Sequence, residues 1–297
     1  MRSYGSFGPT LWFVVAVIAS GGATGCSAEL ESNLNRLEEA NRLATDLLVQ
    51  FNKSGDAGNR AVMADTNEAS LAFVGEAEQA TGAVQKDAGA LRPLLSNLMY
   101  SNEIRLLDEF TARFGQYHAL DRSILDLAVE NTNVKAQRLS FGPVLEAADA
   151  FQTSIEAVQP ATSAADSLRA AALVATAIAA VREIQALQAP HIAEPDDEAM
   201  TRIEKRMVTA EASARGAIQK LSNVLPPTSR PRLVAATAAL DRFVDLHKEV
   251  IALSRRNTNV RSLALSLGKK RMLAGACEES LRALQEALSK RGFSATR

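Results

Sequence analysis

The feature that most limits what this chain can fold into is an internal repeat. Asn131-Thr132-Asn133-Val134 recurs as Asn257-Thr258-Asn259-Val260, 126 residues later. At the same offset Tyr117 meets Phe243, Leu120 meets Leu246, Ile124 meets Val250 and Leu127 meets Leu253. Downstream, Ala148 meets Ala274, Ile155 meets Leu281 and Val158 meets Leu284. A tetrapeptide set in a matching apolar frame marks a duplicated module of about 130 residues. Any fold for one half must therefore serve the other.

The apolar positions around the repeat recur at helical spacing. The segment from about 28 to 53 puts Leu30, Leu34, Leu37, Ala44, Leu47 and Phe51 on one face, and Ser54-Gly55-Asp56 is expected to end it. A second helix is expected over about 57–90, with a mostly alanine inner face and a break before Pro93. A third, about 93–130, carries Leu107, Phe110, Phe114, Tyr117, Ile124 and Leu127; a fourth, about 133–158, stops at Pro160. The pattern then restarts with a helix of about 162–189, broken by Pro190-His191-Ile192-Ala193-Glu194-Pro195. Next comes about 196–225, whose Met200, Ile203, Met207, Ala210, Ala214, Ala217, Leu221 and Val224 alternate by three and four, as helices crossing at a shallow angle do. Pro226-Pro227 closes it, and helices of about 230–256 and 259–290 follow.

Composition agrees. Aromatics are only 5% while strong helix formers recur throughout, which favours helix over sheet. The expected fold is all-α: two tandem antiparallel four-helix-bundle modules, residues 26–160 and 161–291, with a signal peptide over 1–25 and a disordered tail over 292–297. The repeated tetrapeptide admits two readings. It is a turn, with an Asn in the left-handed conformation and Thr or Asn capping the next helix. Alternatively it lies inside one long helix, because the heptad phase through Leu246, Val250, Leu253, Asn257, Val260, Ala264 and Leu267 has no slip. The turn is preferred, since equal helix lengths then close a compact bundle.

The first 26 residues are a separate object. Arg2 is followed by the apolar run from Leu11 to Ala19 and then by small residues, the parts of a secretory signal. Ala23-Thr24-Gly25-Cys26 resembles a bacterial lipobox, although it opens with Ala where Leu is usual. That resemblance implies lipidation of Cys26, removal of the preceding residues and attachment to a membrane; Ser27 in place of Asp implies the outer membrane, on its periplasmic side. The remaining Cys277 would have no disulfide partner, and its place on an inner helical face makes it a small core residue.

From Leu168 to Leu288 the chain resembles the periplasmic four-helix-bundle sensory domain of methyl-accepting chemotaxis proteins. The likeness lies in Phe243, Ile251-Ala252-Leu253, Asn257-Thr258-Asn259 and Leu281-Arg282-Ala283-Leu284. The stretch from Leu30 to Val158 shows the same layout through Tyr117, Ile124-Leu125-Asp126-Leu127-Ala128 and Lys135-Ala136. The resemblance implies sensing or ligand binding outside the cytoplasm by a dimer. No apolar span follows Arg291-Gly292-Phe293, so any output is expected to pass to a membrane signalling partner. A structural or scaffolding envelope lipoprotein, acting through helix–helix contacts, is the alternative.

Asn131, Asn133, Asn257 and Asn259 offer donors and acceptors to a small polar ligand. Lys135 and Arg261, equivalent in the repeat, stand beside helix starts where an anion could be held. Turn chemistry or a polar layer fixing helix register would use the same Asn residues. Arg255-Arg256 and Lys269-Lys270-Arg271 read as a solvated basic face. His191, near Glu194, Asp196 and Asp197, fits no metal-ligand spacing, and His118 and His247 stand alone on helices. With 33 Lys and Arg against 34 Asp and Glu, interspersed, there is no basic surface for nucleic acid. No catalytic or cofactor signature appears either, so neither an enzyme nor a cofactor is expected.

Overall fold

The structure, a computed structural model, describes residues 24–158 and 163–295, and among these it is helical nearly throughout with no strand. The expected signal peptide lies almost wholly outside the described residues. The helices are α1 (Thr24–Met63), α2 (Asn67–Asn97), α3 (Ser101–Glu130), α4 (Thr132–Leu139), α5 (Leu145–Glu156), α6 (Ala164–Ala193), α7 (Asp197–Val224), α8 (Arg230–Arg256), α9 (Thr258–Leu265) and α10 (Arg271–Ala295). A π-helical turn joins α4 to α5 (Ser140–Val144), and another joins α9 to α10 (Ser266–Lys270). The all-α class is thus as the sequence implies.

Helix starts follow local chemistry. Thr66, Ser163 and Asp196 sit in extended backbone and accept from the amides of Ala69, Asp166 and Ala199, which satisfies donors that a helix start leaves free. Pro231 fits the first turn of α8, where its missing N–H costs nothing.

Two expected breaks are not breaks. α1 runs through Ser54-Gly55-Asp56 to Met63, because Ser54 and, one turn on, Gly58 serve packing across the bundle. Ser54 Oγ lies 2.8 Å from Thr81 Oγ1 on α2, and a Cβ on Gly58 would come within 2.7 Å of Lys270 Nζ. Pro93 lies inside α2, near its C-terminal end, whereas the break expected over Pro190–Pro195 does occur, after Ala193, with Pro190 in the last turn of α6. The π-helical turns also repeat at the 126-residue offset, with Ser140 and Gly142 matching Ser266 and Gly268. Pro143 lies in the first turn, but Lys269 takes its place in the second. Proline alone therefore does not cause the distortion.

The core divides into two large clusters. One holds Leu47 and Phe51 of α1, Leu91 and Leu95 of α2, Phe110, Phe114 and Tyr117 of α3, and Cys277, Leu281 and Leu284 of α10. The other holds Ala148, Phe151 and Ile155 of α5, Val181 and Ile184 of α6, Met207 and Leu221 of α7, and Leu240 and Phe243 of α8. Each cluster thus takes one helical arm from the other sequence half. The crossing occurs at Asn131 (φ 51°, ψ 41°) and Asn257 (φ 52°, ψ 36°), both left-handed as the turn reading requires, but neither side chain caps the helix that follows, contrary to that reading. The chain does not fold back there, however. α4 packs on α8 and α9 packs on α3, so each Asn interrupts a helix that passes on into the neighbouring cluster.

Candidate functional site

The two Asn-Thr-Asn segments meet each other. Thr132 and Thr258 face with Oγ1 atoms 3.1 Å apart, and each backbone N–H donates to the other's hydroxyl at 3.1 and 3.2 Å. Asn133 N–H donates to Asn259 Oδ1 (3.0 Å), and Asn259 N–H donates to Asn133 Oδ1 (3.1 Å). Asn133 Nδ2 donates to Asn257 Oδ1 (2.8 Å), and Asn259 Nδ2 donates to Asn131 Oδ1 (2.5 Å). The exchange is a pseudo-twofold lock. It also holds the end of α6, since Asn133 Nδ2 reaches the Ile192 carbonyl and Asn257 Nδ2 the Glu194 carbonyl. The four Asn side chains are therefore brought together and largely spent on one another, while Asn131 Nδ2 has no hydrogen-bond partner. Lys135 and Arg261 are exposed beside this layer, their amides bonded to the carbonyls of Asn131 and Asn257.

A second polar group occupies the first cluster. Lys270 Nζ lies 2.6 Å from Asp121 Oδ1, with both side chains buried. Lys270 is therefore no part of a solvated basic face. The π-helical turn places it at the inner surface, while Lys269 and Arg271 stay exposed. Removing either charge would leave the other buried and unpaired, a loss of about 3–5 kcal/mol. Lys270 Nζ also stands 5.7 Å from the centre of the Tyr117 ring, which packs on Phe51 and Phe114. The Tyr117 hydroxyl is buried and has no hydrogen-bond partner. Burial, reinforced by the Asp121 charge, pushes its pKa well above the ordinary phenol range, so it remains a donor.

Tyr117 and Lys270 line a groove of about 530 Å³ between α1 and the α9–α10 arm, with Phe51, Gly55, Asn59, Leu263, Ser266 and Leu267 among its walls, whereas Asp121, the partner of Lys270, is not part of that lining. Ser266 donates to Asn59 Oδ1 at 3.1 Å. The repeat shows how particular this arrangement is. Phe243 stands at the position of Tyr117, His247 at that of Asp121 and Val144 at that of Lys270.

The second cluster carries a different set. Ser140 donates to Gln188 Oε1 (2.6 Å), and Gln188 Nε2 faces His247 Nδ1 at 3.1 Å, which makes Nδ1 the acceptor of a neutral imidazole. Burial lowers the His247 pKa to about 4. His191 Nδ1 lies 2.8 Å from Ser254 Oγ and Nε2 lies 2.8 Å from Glu204 Oε1. Arg255 grips both oxygens of Glu204 at 2.6 and 2.8 Å, and this holds the carboxyl below its ordinary range. For His191, burial lowers the pKa against the opposing pull of Glu204. Arg256 pairs with Glu130 at 2.7 Å. These partners place Arg255 and Arg256 in inter-helix contacts.

Sequence reasoning missed both buried groups. Comparing the repeats position by position offered the signal, since positions 117, 121 and 270 change chemical character inside an otherwise matched frame. No group of three or more His, Cys, Asp or Glu able to hold a metal occurs among the described residues. Cys277 is buried in the first cluster, and burial pushes its thiol up to about 12. The chain matches no protein-family model, no curated protein and no solved structure.

Proposed function

We propose that this is an extracytoplasmic ligand-binding or sensory protein, held to the membrane by lipid on Cys26 and built as two four-helix units that exchange one arm. It resembles the chemoreceptor sensory bundle in this reading, and its output passes to a membrane partner or a second copy. The chain acts by binding and performs no catalysis. One observation carries the proposal: in a duplicated frame, one unit alone places buried Tyr117 and Lys270, the latter paired with Asp121, on the wall of an open groove, where the other has Phe, Val and His at the three positions. A purely structural duplicate gains nothing from such a difference, because a buried ion pair is on balance no more stabilising than apolar packing.

A melting-temperature screen of the purified protein against small metabolites tests the binding function, since a compound that binds the native state raises the melting point with concentration. Anchoring is tested separately. Cys26→Ser should abolish lipid labelling and release the protein from the membrane fraction; a variant that still labels and fractionates with membranes would exclude the lipid anchor. The scaffold reading draws on α6, where Asp166–Ala193 is long and apolar enough to cross a membrane although only 33% of its most apolar stretch is buried. A stable oligomer in sedimentation, with no compound shifting the melting point, would favour that reading.

A further inference from the structure

We propose that the groove beside Tyr117 receives a compact, uncharged ligand that presents a carbonyl oxygen on an apolar body. The inference rests on the ligand-binding function above and adds the chemistry of the ligand. Its starting point is two unused donors. The Tyr117 hydroxyl, in a side chain 1% exposed, has no hydrogen-bond partner, and the Lys270 ammonium, 3% exposed, brings three donors to a single close carboxylate contact. A buried hydroxyl with no partner is a cost that folding does not explain. Phenylalanine fits the same frame, since Phe243 stands at the equivalent position and is fully buried. Ser54 lies near enough to the hydroxyl to pull its pKa slightly down, but the geometry is not that of a hydrogen bond, and Ser54 is engaged with Thr81 at 2.8 Å. Gly58 makes room for the ion pair beside it, since a Cβ there would meet Lys270 Nζ at 2.7 Å and Asp121 Oδ1 at 3.2 Å.

Charge selects the class of ligand. Two donors call for an acceptor, but Asp121 already neutralises Lys270. A carboxylate or phosphate would therefore add an uncompensated charge to a dehydrated floor. An ammonium would bring donors to donors. An amide, ketone or lactone carbonyl satisfies the floor without net charge. The rim suits an apolar body, since Met63 is 72% exposed, Leu267 is 65% exposed and Leu263 lies beside them. Of the charged groups at the mouth, Asp56 and Glu278 are engaged with Arg60 and Arg282, while Arg271 is exposed at the rim, away from the buried floor. A groove of about 590 Å³ between α6 and α7 has no comparable buried polar floor; Thr176, Glu183, Lys205 and Arg206 among its walls are exposed.

The test uses the full chain purified in detergent, with three matched probes: cyclohexanecarboxamide, cyclohexanecarboxylate and cyclohexylmethylamine. Scanning calorimetry should show the melting point rising with the carboxamide, and the other two should bind at least about tenfold more weakly by titration calorimetry. Tyr117→Phe should leave the ligand-free melting point unchanged or raise it, while weakening the carboxamide about tenfold. A lower ligand-free melting point, or unchanged carboxamide affinity, would show that the hydroxyl is not a free donor and would overturn the proposal. Tighter binding of the carboxylate overturns the carbonyl chemistry but leaves the ligand-binding function standing. If none of the probes binds at about 10 mM, the proposal fails, and the broader metabolite screen then decides whether the function fails with it.

Discussion

At the scale of single residues, the two halves use one framework for different chemistry. His247 occupies the place of Asp121, and the hydrogen bond from Gln188 makes its Nδ1 an acceptor. A proton there must displace that bond inside the core. The folded pKa, about 4, lies below the ordinary histidine value of 6.5, so the unfolded chain binds the extra proton more readily. This contribution to stability is complete above about pH 6.5 and is lost as pH falls towards about 4. The melting temperature should drop over that window, and His247→Gln, which keeps an acceptor but cannot titrate, should reduce the slope. An unchanged slope would assign the acid sensitivity to other groups, such as His191, whose pKa burial also lowers.

At the scale of elements, the α3–α4 and α8–α9 crossings depend on the Asn-Thr-Asn lock more than on apolar burial. Asn133→Ala removes the acceptor of the Asn259 amide and the donor to both Asn257 and the Ile192 carbonyl. Stranding these groups should cost about 2–3 kcal/mol in urea unfolding. Lys135→Ala, two residues away and exposed, should change stability by less than about 0.5 kcal/mol. Equal small losses in both variants would mean that water replaces the lock. The repeat made this element visible in the sequence, and the left-handed Asn followed from turn chemistry. What the two segments bond to was not legible, because each finds its partner in the other, 126 residues away.

At the scale of the whole molecule, each cluster contains an arm from the other half, so neither cluster is complete on its own half of the chain. Melting one strips the other of a helix. Scanning calorimetry should therefore record a single cooperative transition, and two well-separated transitions would show that the clusters hold independently. Helical periodicity determined the all-α class, and the matched frame at 126 residues determined that one plan is used twice, because both are local patterns that neighbours in the chain can express. Only the tertiary structure decided which helices share a core. A left-handed Asn is compatible with folding back or passing on, and α4 and α9 pass on because each packs on a helix of the opposite half. It also decided that Lys270 lies inside and Lys269 outside, since a π-helical turn shifts the face by an amount that a regular 3.6-residue period does not reveal.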